Sequence, residues 1–205
     1  ETLSKGINDQ MAGTPSQLNE QQIQTAIAGV QKKMDEFAKK QASETAAAGE
    51  KYLADNKAKE GVKTTESGLQ YKVTKEGTGA QVAKGDLVTV EYEGRLTDGT
   101  VFDSTKNHNT QPMDAPVVDG AFIQGWVEGF QLMKEGGEYT LYVPAKLAYG
   151  ERAQGSIPAN SALVFDIKVN KVQKGEGEKL VKRAQEAQAK QMQQQMQQAK
   201  QPAKK

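Results

Sequence analysis

The chain of 205 residues contains no cysteine, one histidine and one tryptophan. The absence of cysteine excludes disulfide bonds, thiolate nucleophiles and cysteine-ligated zinc among these residues. It does not identify a cellular compartment, because a protein outside the cytoplasm can also be free of thiols. The histidine, His108, lies in the polar segment Lys106–Asn109, where nothing predicts burial. Since no Gly-x-Ser-x-Gly sequence is present either, a Ser-His-Asp hydrolase is not expected.

Other functional classes are disfavoured by what is missing. The sequence has no cluster of metal-ligating residues, and Gly77 and Gly79 do not match a phosphate-binding loop followed by a helix. The 27 basic and 26 acidic residues give a net charge of +1, so neither nucleic acid nor an anionic membrane surface is an expected partner. No apolar run approaches the length of a membrane span. We therefore expect no cofactor, no metal and no membrane span.

The first 66 residues predict a helical dimerisation and stalk region. Residues 2–12 predict a short helix, and a longer helix is predicted from Asn19, which resembles an N-cap, to Gly61. About 40 residues of helix would extend roughly 60 Å. We expect its early part to pack on another subunit and its later part to form a stalk, with docking on its own domain as the alternative. The early apolar stripe has steps of four and three residues and consists of Ile23, Ile27, Val30, Met34 and Phe37.

Residues 67–173 predict one α+β domain. Period-2 alternation of apolar and polar residues indicates strands that include Leu69–Val73, Leu87–Leu96, Glu138–Val143 and Leu163–Asn170. The spacing of Trp126, Phe130 and Met133 indicates one short helix between them. The expected fold is an antiparallel β-sheet wrapped around that helix, preceded by the long N-terminal helical arm.

The ends of the chain carry less information. Residues 174–205 are rich in Gln, Lys and Ala and predict a partly helical, solvated tail that serves as a spacer or a weak binding arm. The chain begins with Glu1 and shows no apolar signal segment, which is expected of a processed mature chain or of a trimmed one.

Aromatic and aliphatic residues are concentrated at the ends of the predicted elements of the middle domain. Ordinary core packing is one interpretation of such residues. Three features favour a pocket instead: Asp103 follows Phe102, Tyr149 precedes a glycine in a loop, and Trp126 lies near the start of a helix. The set consists of Tyr92, Phe102, Phe122, Ile123, Trp126, Tyr149, Ile157 and Phe165.

Six motifs in this order resemble the FK506-binding protein (FKBP) family of peptidyl-prolyl isomerases. The resemblance covers about residues 67–173, and the helical arm is similar to that of the dimeric bacterial subfamily typified by the macrophage infectivity potentiator. The motifs are Val-x-Tyr-x-Gly at 90–94, Asp-Gly-Thr-Val-Phe-Asp-Ser at 98–104, Phe-Ile-Gln-Gly-Trp at 122–126, Leu-Ala-Tyr-Gly at 147–150, Ile-Pro at 157–158 and Ala-Leu-Val-Phe at 162–165.

The resemblance implies a role for each pocket residue. Trp126 is expected to form the floor under a proline ring, and the Ile123 backbone N–H and the Tyr149 hydroxyl are expected to donate hydrogen bonds to bound carbonyls. Asp103 is expected to be the polar group of the wall, without acid–base work. The implied catalytic residues are Tyr92, Phe102, Asp103, Trp126, Tyr149 and Phe165, and the implied residues for binding substrate or macrolide are Phe122, Ile123 and Ile157.

The resemblance also implies partners and a location. The expected partners are unfolded proline-containing polypeptides, macrolide inhibitors of the FK506/rapamycin type, and a second copy bound through the N-terminal helices. The expected location is the periplasm or the outer membrane, with the cytoplasm left open. The alternatives are a holding chaperone that binds unfolded chains between the helical arms, and a helical scaffold with a vestigial domain.

Three departures from the family pattern border the expected pocket. Ala115 stands where relatives commonly have Phe, and the loop Glu151–Ser156 contains a single Gly and no Pro, so substrate preference is open. His108 stands where many relatives have an Arg that interacts with the Asp. We therefore hypothesise that the local charge depends on pH. Replacing His108 with Gln and measuring activity from about pH 5 to about pH 8 tests this; unchanged pH dependence would dismiss it.

Overall fold

A computed structural model of the chain describes residues 20–107 and 111–199. The short helix predicted at residues 2–12 and His108 lie outside the described residues. The chain divides between Glu44 and Thr45 into two compact units. In chain order the elements are α1 (Glu20–Lys57), β1 (Val62–Thr64), β2 (Gln70–Lys75), β3 (Leu87–Leu96), β4 (Val101–Ser104), β5 (Met113–Pro116), α2 (Gln124–Phe130), β6 (Glu138–Val143), β7 (Leu163–Gln173) and α3 (Glu176–Ala199).

The predicted long N-terminal helix is confirmed as α1, with 38 residues. It ends before Gly61, which has a φ of +79° that a residue with a side chain rarely adopts. In the first unit the predicted stripe is exposed to solvent. The exposed fractions range from 38% at Ile23 to 68% at Phe37. Within the described residues this stripe has no apolar partner, although such surfaces usually mark contacts.

Residues 45–57 of α1 belong to the second unit and pack on its sheet. A Cβ added to Gly49 would lie 3.1 Å from the Ala162 Cβ, so the helix approaches closely here. The rings of Tyr52 and Tyr142 have centroids 6.3 Å apart. This part of the helix was expected to be a stalk, since it lacks large apolar residues at helical spacing. The close approach of the helix to the rest of the unit depends on small residues such as Gly49 and Ala162. Small residues do not produce the spacing of large apolar side chains by which a packed helix face is predicted.

The second unit contains a seven-stranded antiparallel sheet in the order β1-β2-β6-β7-β3-β4, with β5 also paired to β3. The alternation predicted for β3 and β7 is observed, because Val88, Val90, Leu163 and Val169 are all fully buried. The predicted α+β fold is therefore confirmed. The sheet also includes β1, which begins before residue 67. The division of the chain at residues 66 and 173 stays a prediction.

The short helix α2 lies against β6 at close range. A Cβ added to Gly125 would lie 2.4 Å from Val143 Cγ1, and one added to Gly129 would lie 2.4 Å from Leu141 Cδ1. The two glycines are one helical turn apart, so they form a flat face on which the strand's side chains rest. Trp126 and Phe130 come one residue later in each case, and both are buried. The helix ends at Phe130, three residues earlier than the pattern through Met133 predicts.

The C-terminal helix α3 is attached to the sheet at its first turn. Asp86, which is 3% exposed, accepts hydrogen bonds from the Ala83 N–H at 2.8 Å, the Gly175 N–H at 2.9 Å and the Lys174 Nζ at 2.8 Å. The Gly177 N–H donates to the Gly85 carbonyl at 2.9 Å. This start of the helix is therefore supported by the domain, more firmly than composition indicates. Farther on, the large apolar side chains are exposed: Leu180, Met192 and Met196.

Within the described part of the chain, no helix combines the length and the apolar character needed to cross a membrane.

The close contact of α2 with β6 leads to a first prediction. Replacing Gly129 with Ala should lower the free energy of unfolding of the second unit by up to about 2 kcal/mol, because moving the buried Leu141 to admit a methyl group costs about 1–3 kcal/mol. This overpacking exceeds the gain of about 1 kcal/mol that Ala brings to a helix interior. Urea denaturation followed by the fluorescence of Trp126, the single tryptophan of the chain, measures the change.

Gly29→Ala is the matched control. An added Cβ at Gly29 meets nothing within 4 Å, so the transition reported by Trp126 should stay within about 0.5 kcal/mol of wild type. Equal stability of the Gly129→Ala variant and the wild type would contradict the packing described for α2.

Candidate functional site

Trp126 is the centre of an aromatic cluster on the inner side of the sheet. The side chain is 4% exposed and lies on α2. Its ring centroid is 5.0 Å from that of Tyr92, 5.3 Å from that of Phe122 and 5.1 Å from that of Phe165. The Tyr92 and Phe165 rings meet it nearly edge-on, at 80° and 79°, which is a favourable arrangement for aromatic pairs. Rings from β3, from β7 and from the segment before α2 thus surround one indole ring.

The wall beside Trp126 depends on a glycine that the sequence patterns did not single out. The rings of Phe102 and Phe165 pack edge to face, with centroids 5.7 Å apart. Gly94 of β3 lies beneath them, and an added Cβ would be 2.7 Å from Phe102 Cζ and 2.9 Å from Phe165 Cε1. A side chain at this position would displace both rings. The Val-x-Tyr-x-Gly motif contained this residue, but its contacts come from two other strands, β4 and β7.

Asp103 and Tyr92 form the polar part of the cluster. The Tyr92 hydroxyl donates to Asp103 Oδ2 at 2.6 Å, and the Ser104 N–H donates to Asp103 Oδ1 at 2.8 Å. Burial, followed by the hydrogen bond to Asp103 and the charge of Asp103, raises the pKa of the Tyr92 phenol. The phenol therefore stays protonated and remains a donor throughout the physiological range. The carboxylate is held in a fixed orientation at the border of an apolar site.

The Trp126 Nε1–H is buried without a partner among the described residues, and two further donors at this site have no acceptor there either. Ile123 is the N-cap of α2, where backbone N–H groups are not used by the helix itself. The Tyr149 side chain is 38% exposed, and burial of its phenol followed by the charge of Asp103 raises its pKa. Both donors are thus available to an acceptor that enters from solvent.

The structure brings together the residues predicted from the sequence. Seven belong to one hydrophobic cluster or pack against it, while Asp103 is bonded to Tyr92 and Tyr149 interacts electrostatically with Asp103 and Tyr92. Their proximity is observed, and their roles stay predictions. Tyr92, Trp126, Ile157 and Phe165 are members of the cluster, and Phe102, Phe122 and Ile123 pack against it. Ala115 is fully buried on β5, and the loop 151–156 is exposed.

The outer face of the same sheet has a groove of about 630 Å³ with different chemistry. Two pairs of its charged groups lie close together: Lys168 lies 3.4 Å from Glu91, and Lys106 lies 3.4 Å from Glu93. Asp166 accepts a hydrogen bond from the Thr140 hydroxyl at 2.7 Å. Within the described residues no group of three or more His, Asp or Glu side chains is placed to hold a metal ion. The aromatic site is therefore the stronger candidate.

Comparison with protein families gives two matches along the chain. Residues 79–170 match the FKBP-type peptidyl-prolyl cis-trans isomerase model. Residues 1–73 match the model of the domain amino-terminal to FKBP-type peptidyl-prolyl isomerase. All nine candidate residues lie inside the first match, and α1 lies inside the second.

Individual relatives agree with the family matches. A probable FKBP-type peptidyl-prolyl cis-trans isomerase FkpA of Neisseria meningitidis is 58% identical over 125 residues, which cover 60% of this chain but only 45% of the relative. Outer membrane protein MIP of Legionella longbeachae is 43% identical and covers 85% of this chain and 76% of the relative. The crystal structure of FkpA from Escherichia coli superposes with a TM-score of 0.70 at 33% identity, covering 84% of this chain and 81% of that chain.

The raised pKa of the Tyr92 phenol predicts how stability responds to alkaline pH. The folded chain retains the phenolic proton to a higher pH than the unfolded chain, so the contribution of Tyr92 is complete below about pH 10. As pH rises further the contribution is lost, at up to about 1.4 kcal/mol per pH unit. Tyr92→Phe should remove this part of the alkaline loss. It should also cost about 1–3 kcal/mol at neutral pH, because Asp103 loses a donor.

Urea denaturation of both proteins between about pH 8 and about pH 11 tests this expectation. Below about pH 9 the two stability profiles should run parallel, and above about pH 10 they should converge. Profiles that stay parallel to the highest pH would show that Tyr92 does not keep its proton on folding.

Proposed function

Because this chain belongs to the FKBP-type peptidyl-prolyl cis-trans isomerase family, we propose that it accelerates rotation about X–Pro bonds in unfolded or folding polypeptides. The observation that carries the proposal is the site around Trp126, where aromatic rings surround a buried indole and two donors have no acceptor among the described residues. The chain spans less than half of the Neisseria relative's length, so the activity of the whole protein is part of the proposal.

The chemistry of the site suits this reaction. Rotation about an X–Pro bond has a barrier near 20 kcal/mol, because amide resonance is lost when the bond is twisted. The planar imide is more charge-separated than the twisted one, so an apolar site disfavours the planar form. No proton transfer and no nucleophile are needed, and catalysis requires only that the twisted form is bound more tightly than the planar forms. Each tenfold acceleration requires about 1.4 kcal/mol of this preference.

The proposed roles of the residues follow from their positions. The proline ring lies on Trp126, and the substrate carbonyls accept hydrogen bonds from the Ile123 N–H and the Tyr149 hydroxyl. Asp103 acts electrostatically from the wall, since its two oxygens are already oriented by Tyr92 and Ser104. Phe102 and Phe165, with Phe122 and Ile157, complete an apolar enclosure that also fits macrolides of the FK506 or rapamycin type.

A homodimer through the N-terminal helices is part of the same proposal. It is supported by the exposed stripe from Ile23 to Phe37, since five large apolar side chains on one helical face favour association. A location in the periplasm or at the outer membrane is supported by the relative named as an outer membrane protein. A cytoplasmic location is the alternative.

The stripe also favours a second function, a holding chaperone. Val30, Met34 and Phe37 border a shallow apolar groove on α1 that a segment of unfolded chain fits as well as a second helix does. In that case unfolded chains bind to the arms, and isomerisation is secondary.

Catalysis of X–Pro isomerisation in a short peptide tests the main proposal. The wild type should accelerate the reaction, and an FK506-type macrolide should abolish the acceleration. Tyr149→Phe should reduce kcat/KM by about two- to tenfold through the loss of one neutral hydrogen bond. Asp103→Asn should reduce it by at least about tenfold, because a charged group is removed from an apolar site.

Two variants serve as controls. Asp114→Asn alters an exposed carboxylate on β5 that accepts a hydrogen bond from the Thr89 hydroxyl at 2.6 Å. Tyr71→Phe alters a half-exposed phenol on β2. Both should retain wild-type activity. An inactive wild type, or activity insensitive to the macrolide, would refute the proposed function. If the Asp103 and Tyr149 variants still suppress aggregation of an unfolded protein, the arms carry an independent chaperone activity.

A further inference from the structure

Among the described residues, Glu128 is the one side chain of α2 that hydrogen-bonds to a residue outside the helix, in the loop between β1 and β2. Its Oε1 accepts the Thr65 hydroxyl at 2.6 Å and the Ser67 hydroxyl at 2.8 Å. The two hydroxyl oxygens are 2.9 Å apart, so both converge on a single carboxylate oxygen. All three side chains are half-buried. Hydrogen bonds to a charged acceptor are shorter and stronger than neutral ones, so this contact is a firm one.

The position of α2 cannot be set by the helix alone. The helix has seven residues, and helices this short are not stable in isolation. Gly125 and Gly129 set its distance from β6, but a flat glycine face against aliphatic side chains resists rotation about the helix axis weakly, and the rings around Trp126 restrict that rotation on one side only. Directional hydrogen bonds on the other side fix it. Glu128 lies two residues after Trp126, about 200° around the helix, so the two side chains leave on opposite sides.

The groups that hold Glu128 are themselves fixed. The Thr65 N–H donates to the Leu69 carbonyl at 2.8 Å, and the Leu69 N–H donates to the Ser67 hydroxyl at 3.3 Å. Leu69 is fully buried. The next residue, Gln70, donates to the Leu53 carbonyl at 2.8 Å and accepts from Asn56 at 3.0 Å. The hydroxyl pair is therefore a stable anchor, continuous with the end of α1.

We propose that Glu128 is a positioning residue, which fixes the rotation of α2 and thereby the orientation of the Trp126 ring and the Ile123 N–H. Thr65 and Ser67 are its anchors. Without them α2 stays packed on β6 but rocks about its axis, and the floor of the site loses its alignment with Tyr149 and Asp103. The consequence for catalysis rests on the proposed function, whereas the consequence for Trp126 does not.

The test compares Glu128→Ala, Glu128→Gln and the pair Thr65→Val/Ser67→Ala with wild type. Acrylamide quenching and anisotropy of the single tryptophan report the order of Trp126 directly. Peptide isomerisation is measured well below the unfolding midpoint of every variant. Glu128→Ala and the hydroxyl pair should each raise the quenching constant at least about twofold and lower kcat/KM about fivefold or more.

Glu128→Gln keeps a carbonyl oxygen that accepts both hydroxyls, so it should rescue both readouts to within about twofold of wild type. Combining Glu128→Ala with the hydroxyl pair should add little, because each change breaks the same contact. Glu60→Ala, the same chemical change at an exposed residue after α1, is the control and should match wild type.

The outcomes separate cleanly. If Glu128→Ala has the quenching constant and the kcat/KM of wild type, the proposal is overturned. The same holds if Glu128→Ala loses heat stability while its quenching constant and kcat/KM stay unchanged below its unfolding midpoint. Failure of Glu128→Gln to rescue overturns the role of the shared oxygen. If the wild type itself does not catalyse isomerisation, the proposed function fails, and the quenching data still decide whether Glu128 positions Trp126.

Discussion

The close contact between α2 and β6 is the constraint on which the site depends. Gly125 and Gly129 allow the helix to lie against Val143 and Leu141 at a distance that any side chain would prevent. Because α2 is so near the sheet, Trp126 is buried on the inner side, where rings from β3 and β7 reach it. A helix displaced by one methyl group would open a gap beside the indole, and a gap too small for water removes contacts without replacing them.

The polar groups of the site are arranged so that little reorganisation is needed on binding. The Asp103 carboxylate sits at an apolar border, where an unpaired charge would be costly, and Tyr92 and Ser104 offset that cost by donating to its two oxygens. The Asp103 carboxylate therefore keeps one orientation. By contrast, the Ile123 N–H and the Tyr149 hydroxyl are left without acceptors among the described residues. In the proposed function, these fixed groups and unused donors are preorganised for substrate carbonyl groups and an uncharged ring.

Features within one segment could be predicted from the sequence, and features that join distant segments could not. The alternation in β3 and β7 and the apolar face of α2 are local patterns, and both are observed in the structure, which also brings the residues of the ordered motifs together. Strand β1 has three residues, too few for a pattern, and β4 and β5 are nearly as short. The contacts of Gly94 and the support of α3 by Asp86 depend on pairings up to 89 residues apart, which no spacing rule reveals. Glu128 was missed because its partners lie in a loop more than 60 residues earlier.

The two parts of α1 show how one helix serves two requirements. Residues 45–57 use small and polar side chains, with Gly49 close to Ala162 and Asn56 bonded to Gln70, and these give a fixed attachment to the sheet. Residues 23–37 instead carry large apolar side chains that remain in water within the described residues. Full burial of one such side chain is worth about 1.5–3 kcal/mol, so five of them favour association strongly. Attachment and the exposed stripe are thus encoded in separate stretches of one helix, and the proposed association uses side chains that take no part in the hydrogen bond between Asn56 and Gln70.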